Sequence, residues 1–165
     1  MQYQTIQQAI KEIVESHVSN LTFVTGLESD IDTENIQYPI VYLQPPASTL
    51  ALSSESIGAD IWQIHLQSQE QLELESSTDD KQAALNRTRE SLKDIVHQFV
   101  YNYGQVTKDV TVNNNTETLD FNTTSTGIMS PFVDKDANVT GHMIDFTIQE
   151  NTPANLCHLP DTFSA

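Results

Sequence analysis

The sequence predicts an α+β domain, a mainly antiparallel sheet with two amphipathic helices packed on one face. Three observations carry this. Two separate stretches place apolar residues at three- and four-residue steps, the period of a helix with one buried stripe. Several shorter stretches alternate apolar and polar residues, the period of a half-buried strand. The order is helix, two strands, long helix, then several strands, which suits an antiparallel sheet with helices on one side.

The first helix spans about residues 2 to 18, with Tyr3, Ile6, Ile10, Ile13, Val14, His17 and Leu21 on its stripe. Ser19-Asn20 ends it, Phe23-Val24 begins a short strand, and residues 25 to 37 read as an acidic loop. Tyr38 to Leu43 is a strand opened by Pro39, where a missing N–H does least harm. Both its faces are apolar, which places it inside the sheet. Pro45-Pro46 reads as its stop, and residues 47 to 56 as a Ser-rich connection. Ile57 to Gln67 is a second strand, expected to pair antiparallel with the first. Trp62, Ile64 and Leu66 point one way; Gln63, His65 and Gln67 point the other.

A polar connection over 68 to 78 leads to the long helix, about 79 to 102. Asp79 and Gln82 fit a capping box, and Gly104 fits a C-terminal cap. Leu85, Thr88, Leu92, Ile95, Val96, Phe99 and Tyr103 form its buried stripe. Val110 to Val112, an Asn113-Asn114-Asn115 turn and Thr118 to Thr124 read as a hairpin. Gly127 to Val133 is a strand containing Pro131, and Asp134 to Asn138 a turn. His142 to Glu150 alternates cleanly, with Ile144, Phe146 and Ile148 inward. The domain is read as 1–150, followed by an extended tail over 151–165.

Seven Lys and Arg face 23 Asp and Glu, a formal charge of −16. Such a surface repels phosphate and argues against a nucleic-acid grip. The N-terminus lacks the basic start and apolar run of a signal peptide, and no apolar stretch is long enough to span a bilayer, so a soluble protein is expected. A single cysteine, Cys157, allows no intrachain disulfide.

Motifs that carry chemistry are missing. The five histidines form no pair at i and i+4 on one helix, so no helical zinc site is expected. Asp30-Asp32-Glu34 and Asp134-Asp136 resemble fragments of a calcium loop, but Asn35 and Val139 stand where the sharp turn needs glycine. Neither a Gly-rich phosphate loop nor a G-x-S-x-G elbow occurs. The reading is therefore a protein that is not an enzyme and holds no cofactor or metal.

The order of elements is more informative. An amphipathic helix and acidic loop precede Tyr-Pro-Ile-Val-Tyr-Leu at 38–43. A strand with Asp60-Ile61-Trp62 follows, then a helix ending in Ile95-Val96-His97-Gln98-Phe99, then a β segment to about residue 150. This resembles the tail terminator and tail-completion (neck) proteins of tailed bacteriophages. The resemblance implies a virion structural protein, made in the host cytoplasm. It implies a ring, usually sixfold, that caps the tail tube protein and meets the head connector or adaptor proteins. DNA would pass through such a ring without specific binding, and no membrane is involved. Alternatives are a tail tube or connector adaptor protein, or a non-viral acidic binding module.

Acidic subunits in a ring need opposite charges across the seam. Four of the seven basic residues, Lys81, Arg87, Arg89 and Lys93, lie together on the long helix, and the acids of Glu70 to Glu75 precede it. The basic part of this helix is a candidate subunit interface; the alternative is pairing within its own chain. Leu156, Leu159 and Phe163 in the tail are further interface candidates, expected to dock on an adjacent subunit.

Overall fold

The computed structural model describes residues 3–27, 36–52, 57–123, 127–134 and 138–150. The fold is α+β, with a mainly antiparallel sheet as the sequence predicts. In chain order the elements are α1 (Tyr3–Glu15), β1 (Thr22–Thr25), β2 (Ile40–Leu52), β3 (Ile57–Gln71) and α2 (Thr78–Phe99). A π-helical turn (Val100–Gln105) follows, then β4 (Lys108–Val112), β5 (Asn115–Leu119), β6 (Phe121–Thr123), β7 (Ile128–Asp134) and β8 (Val139–Glu150).

The main sheet runs β1-β2-β3-β8-β6, and β7 pairs with β8 alongside β6. β3 is central, antiparallel to β2 on one side and to β8 on the other. β1 joins β2 in parallel through Thr22 to Thr25. The segment Ile40 to Leu43 thus lies between two strands and is buried throughout, as its two apolar faces predict.

Both helices cover one face. Ile6, Ile10, Ile13 and Val14 of α1 and Leu92, Ile95 and Phe99 of α2 share a core with Val41, Leu43, Trp62, Ile64, Leu66, Ile144, Phe146 and Ile148. Val96 packs against that core partly buried. Phe99 anchors its aromatic part, with ring centroids 5.0 Å from Phe121, 5.6 Å from Tyr103 and 6.3 Å from Phe146. The other sheet face buries Ile40 and Tyr42 and carries polar residues beside them. On it a hydrogen-bonded row runs from Gln69 to Gln67 (2.8 Å), His65 (2.8 Å) and Asp145 (2.6 Å). The carboxylate only accepts, so the proton sits on Nδ1 of His65 and Nε2 accepts from the Gln67 amide.

Several boundaries differ from the sequence reading, each for a physical reason. Pro45-Pro46 does not stop β2. The ladder slips by one residue there, between Gln44↔His65 and Ala47↔Gln63, so the prolines occupy a bulge and pairing resumes to Leu52. The expected Ser-rich connection is therefore largely strand, and β3 likewise runs on to Gln71. The capping box is Ser77 with Asp80, not Asp79 with Gln82: the Ser77 hydroxyl accepts from Asp80 N at 3.1 Å, and Asp80 accepts from Ser77 N at 3.0 Å. Gly104 is not a left-handed cap. It lies in the π-helical turn, and the near approach of the Phe121 ring, 3.3 Å from where a Cβ would stand, is what favours glycine.

The hairpin also closes earlier. Asn113 and Asn114 take φ of 50° and 67°, the turn expected of a two-residue loop, and β5 returns from it directly. Phe121 to Thr123 leaves that hairpin and joins the main sheet against β8.

Candidate subunit interface

The cations of α2 are placed by its periodicity, and the structure shows how their charges are met. Arg87 reaches back across the helix start to the end of β3. Its Nε donates to Glu70 Oε2 at 3.1 Å, and its Nη2 donates to Oε1. That two-pronged contact raises the guanidinium pKa further. Glu90 accepts from Lys93 at 3.2 Å and from Arg89 at 2.6 Å, and these cations, Lys93 first, hold its carboxyl below the usual range. Lys81 is exposed beside the helix N-terminus. Arg87 therefore meets one of the expected acids within its own chain, and Arg89 and Lys93 pair locally. All three pairs lie at the surface, where such contacts contribute little to stability. Leu156, Leu159 and Phe163 lie outside the described residues.

A second surface feature was hidden by the two prolines. β1 covers the outer edge of β2 only from Ile40 to Leu43, and β8 pairs with β3 only from Ile61 onward. Beyond these limits β2 and β3 form a two-stranded arm whose strand neighbours, among the described residues, are only each other. Just before it, on the outer edge of β2, Ala47, Ser48 and Thr49 are exposed on successive, opposite-facing positions. A thirteen-residue gap between two strand signals, 44 to 56, was the clue to it, since so long a structureless link is uncommon in a compact domain.

The opposite side of the sheet ends differently. Among the described residues β7 is an outer strand with Ile128 and Val133 exposed, and Pro131 at its centre has no N–H to offer.

A third feature lies on the helical side. A hollow of about 610 Å³ opens between the end of α1, the start of β2, the end of β3 and α2, and Ser68 lines it. A second, of about 450 Å³, continues along the seam between α1 and α2, and Tyr103 lines it. His17, Val18 and Asp94 border both, and His17 Nε2 faces Asp94 Oδ2 at 3.8 Å. Beneath the first hollow the Thr88 hydroxyl donates to the Leu85 carbonyl and meets His142 Nδ1 at 3.2 Å. Burial, with Arg89 nearby, pushes the His142 imidazole below its ordinary pKa. Burial, with Glu12 nearby, pushes the Tyr103 phenol up to about 12.

Among the described residues, no three His, Cys, Asp or Glu side chains converge as metal ligands. No helix among them is long and apolar enough to cross a membrane. No protein-family model matches the sequence, and no curated protein matches it.

Proposed function

We propose that the chain is a structural protein of a tailed-phage virion, forming a ring at the head–tail junction that ends the tail and joins it to the head connector. The observation that carries the reading is the arm. Among the described residues the two strands running beyond the sheet have no third strand to pair with, and an isolated hairpin is marginal in water. Their cohesion is best explained by contact with a neighbouring subunit, and copies related by rotation close into a ring. The resemblance in element order supports the same class. The acidic surface is compatible with DNA sliding past without being gripped.

The test is electron microscopy and light scattering of the purified protein in about 1 M salt, where repulsion between acidic subunits is screened within roughly 3 Å. Annuli are expected. Replacing residues 50–60 by Asn-Gly should leave a folded monomer that forms none. A parent that stays monomeric under these conditions, or a shortened arm that still gives annuli, defeats the reading.

A further inference from the structure

We propose that the polar row on β3 is a proton-driven hydrogen-bond relay. Uptake of a proton by His65 reverses both glutamine bonds along it, so that the far end, Gln69, changes from offering an acceptor to offering a donor. The relay lies on the sheet face opposite the helices and does not depend on ring formation.

The direction of the row is set at its first member. Asp145 Oδ1 stands 2.6 Å from His65 Nδ1, and an ionised carboxylate only accepts. The neutral ring has one N–H, which therefore lies on Nδ1 and leaves Nε2 as an acceptor. The Gln67 amide meets that nitrogen at 2.8 Å through its own Nε2. Its Oε1 is thereby turned toward Gln69, whose Nε2 donates to it at 2.8 Å. Gln69 keeps its Oε1 outside the row.

A proton from solvent goes to His65 Nε2, with Asp145 remaining ionised. The ring then carries two N–H donors, and the new one faces the NH2 group of Gln67. A half-turn of the Gln67 amide replaces that clash by a charge-assisted bond from the imidazolium to Oε1. It also sets the Gln67 NH2 against the NH2 of Gln69, and a half-turn of the second amide repairs this. Rotation about a terminal amide bond of this kind meets a broad, roughly two-fold profile, so both turns are accessible. No bond of the row is lost, and the NH2 of Gln69 becomes its outward end.

Placement makes the row a transmitter. His65, its side chain 21% exposed, borders a hollow of about 450 Å³ near the root of the arm, beside Pro45 and Ala47. Among the described residues Asp145 is the one charged side chain lining that hollow. β2 sets the uncharged Gln44 level with His65, and β7 sets Ile128 level with Asp145. Gln69 lies four residues further along β3, roughly 13 Å away, between Ile40 and Gly141.

The experiment is nuclear magnetic resonance of the whole isotope-labelled protein, titrated from roughly pH 8 to pH 5. At the alkaline end the His65 proton should sit on Nδ1. As the ring protonates, the side-chain NH2 signals of Gln67 and Gln69 should move with the same midpoint. The coupling across the hydrogen bond from Gln69 Nε2 to the Gln67 amide carbon should give way to one from Gln67 Nε2 to the Gln69 amide carbon. Gln67→Met, which fills the same space without an amide, should leave His65 titrating and hold the Gln69 signals still. His65→Gln should abolish the response of both glutamines. A proton on Nε2 at the alkaline end, or Gln69 signals that do not follow His65, overturns the relay. So do Gln69 signals that still follow His65 in Gln67→Met, which would show charge felt through space. A response that survives His65→Gln also overturns it and assigns the signal to His142, next to the Gly141 that faces Gln69.

Discussion

Gly141 is the residue on which the sheet is least forgiving. A Cβ there would stand 2.1 Å from the Ser68 carbonyl oxygen on the next strand and 2.9 Å from the Phe132 ring. The oxygen is backbone and cannot swing away, so Gly141→Ala should lower stability by about 3 kcal/mol, read from urea midpoints. Thr107 offers the opposite case. Its φ of 57° puts a β-branched residue in the left-handed region, which suits glycine and, among side chains, Asn. Thr107→Gly should raise stability by up to about 1 kcal/mol, the relief being partly offset by a more flexible unfolded chain. Two buried groups set the pH response. The folded state resists protonating His142, so its contribution is present above the unfolded value of 6.5 and is lost as pH falls below it. His142→Gln should flatten that slope, whereas the acid loss from Asp80 and Glu90, whose pKa values are lowered, falls below pH 4.5. The raised phenol of Tyr103 works the other way: its contribution is complete below pH 10 and disappears as pH climbs toward about 12. Tyr103→Phe should remove that alkaline loss in a thermal-midpoint series.

Among the elements, β8 was the most legible and the β2–β3 arm the least. Ile144, Phe146 and Ile148 alternate with Asp145, Thr147 and Gln149 because one face of β8 meets helices and the other faces the polar row. Phe146→Ala should accordingly cost about 3–5 kcal/mol, since the ring sits against Phe99 and is 5% exposed. The helical stripes were legible for the same reason: burial on one side imposes a period. Pro45-Pro46 misled because local propensity says stop, while an edge bulge tolerates what a ladder interior does not. The capping box was displaced by two residues because Asp79 and Ser77 are both competent caps, and only the backbone at Ser77 decides. The hollows on the helical side had no local signal. Ser68 looks like one more polar residue in a Gln-rich strand until Val41 and His142 are known to flank it, and His17 meets Asp94 only through packing of α1 on α2. Tyr103 reads as ordinary core on the helical stripe, and its unmet hydroxyl appears only in three dimensions.

For the molecule as a whole, charge sets the conditions of association. Each chain carries −16, and the paired cations of α2 are its densest positive group. If that helix lies in a seam between subunits, Arg87→Glu with Lys93→Glu should abolish assembly at low salt and restore part of it as salt rises, by light scattering. Assembly of the double variant at low salt equal to the parent would remove the helix from the seam. The proline in β7 has a further consequence, for the material the protein can become. A sheet polymer lengthens only if every molecule offers two growing ends, one to add to and one to be added to. Among the described residues this sheet has a stretch without an outer partner strand, from Ala47 to Leu52, and a strand holding Pro131 on its far side. On the β7 side the proline withholds one backbone donor, so lengthening past that strand is disfavoured. Concentrated solutions should stay free of thioflavin-binding fibres, and Pro131→Val, which returns the missing donor, is the substitution expected to let them form.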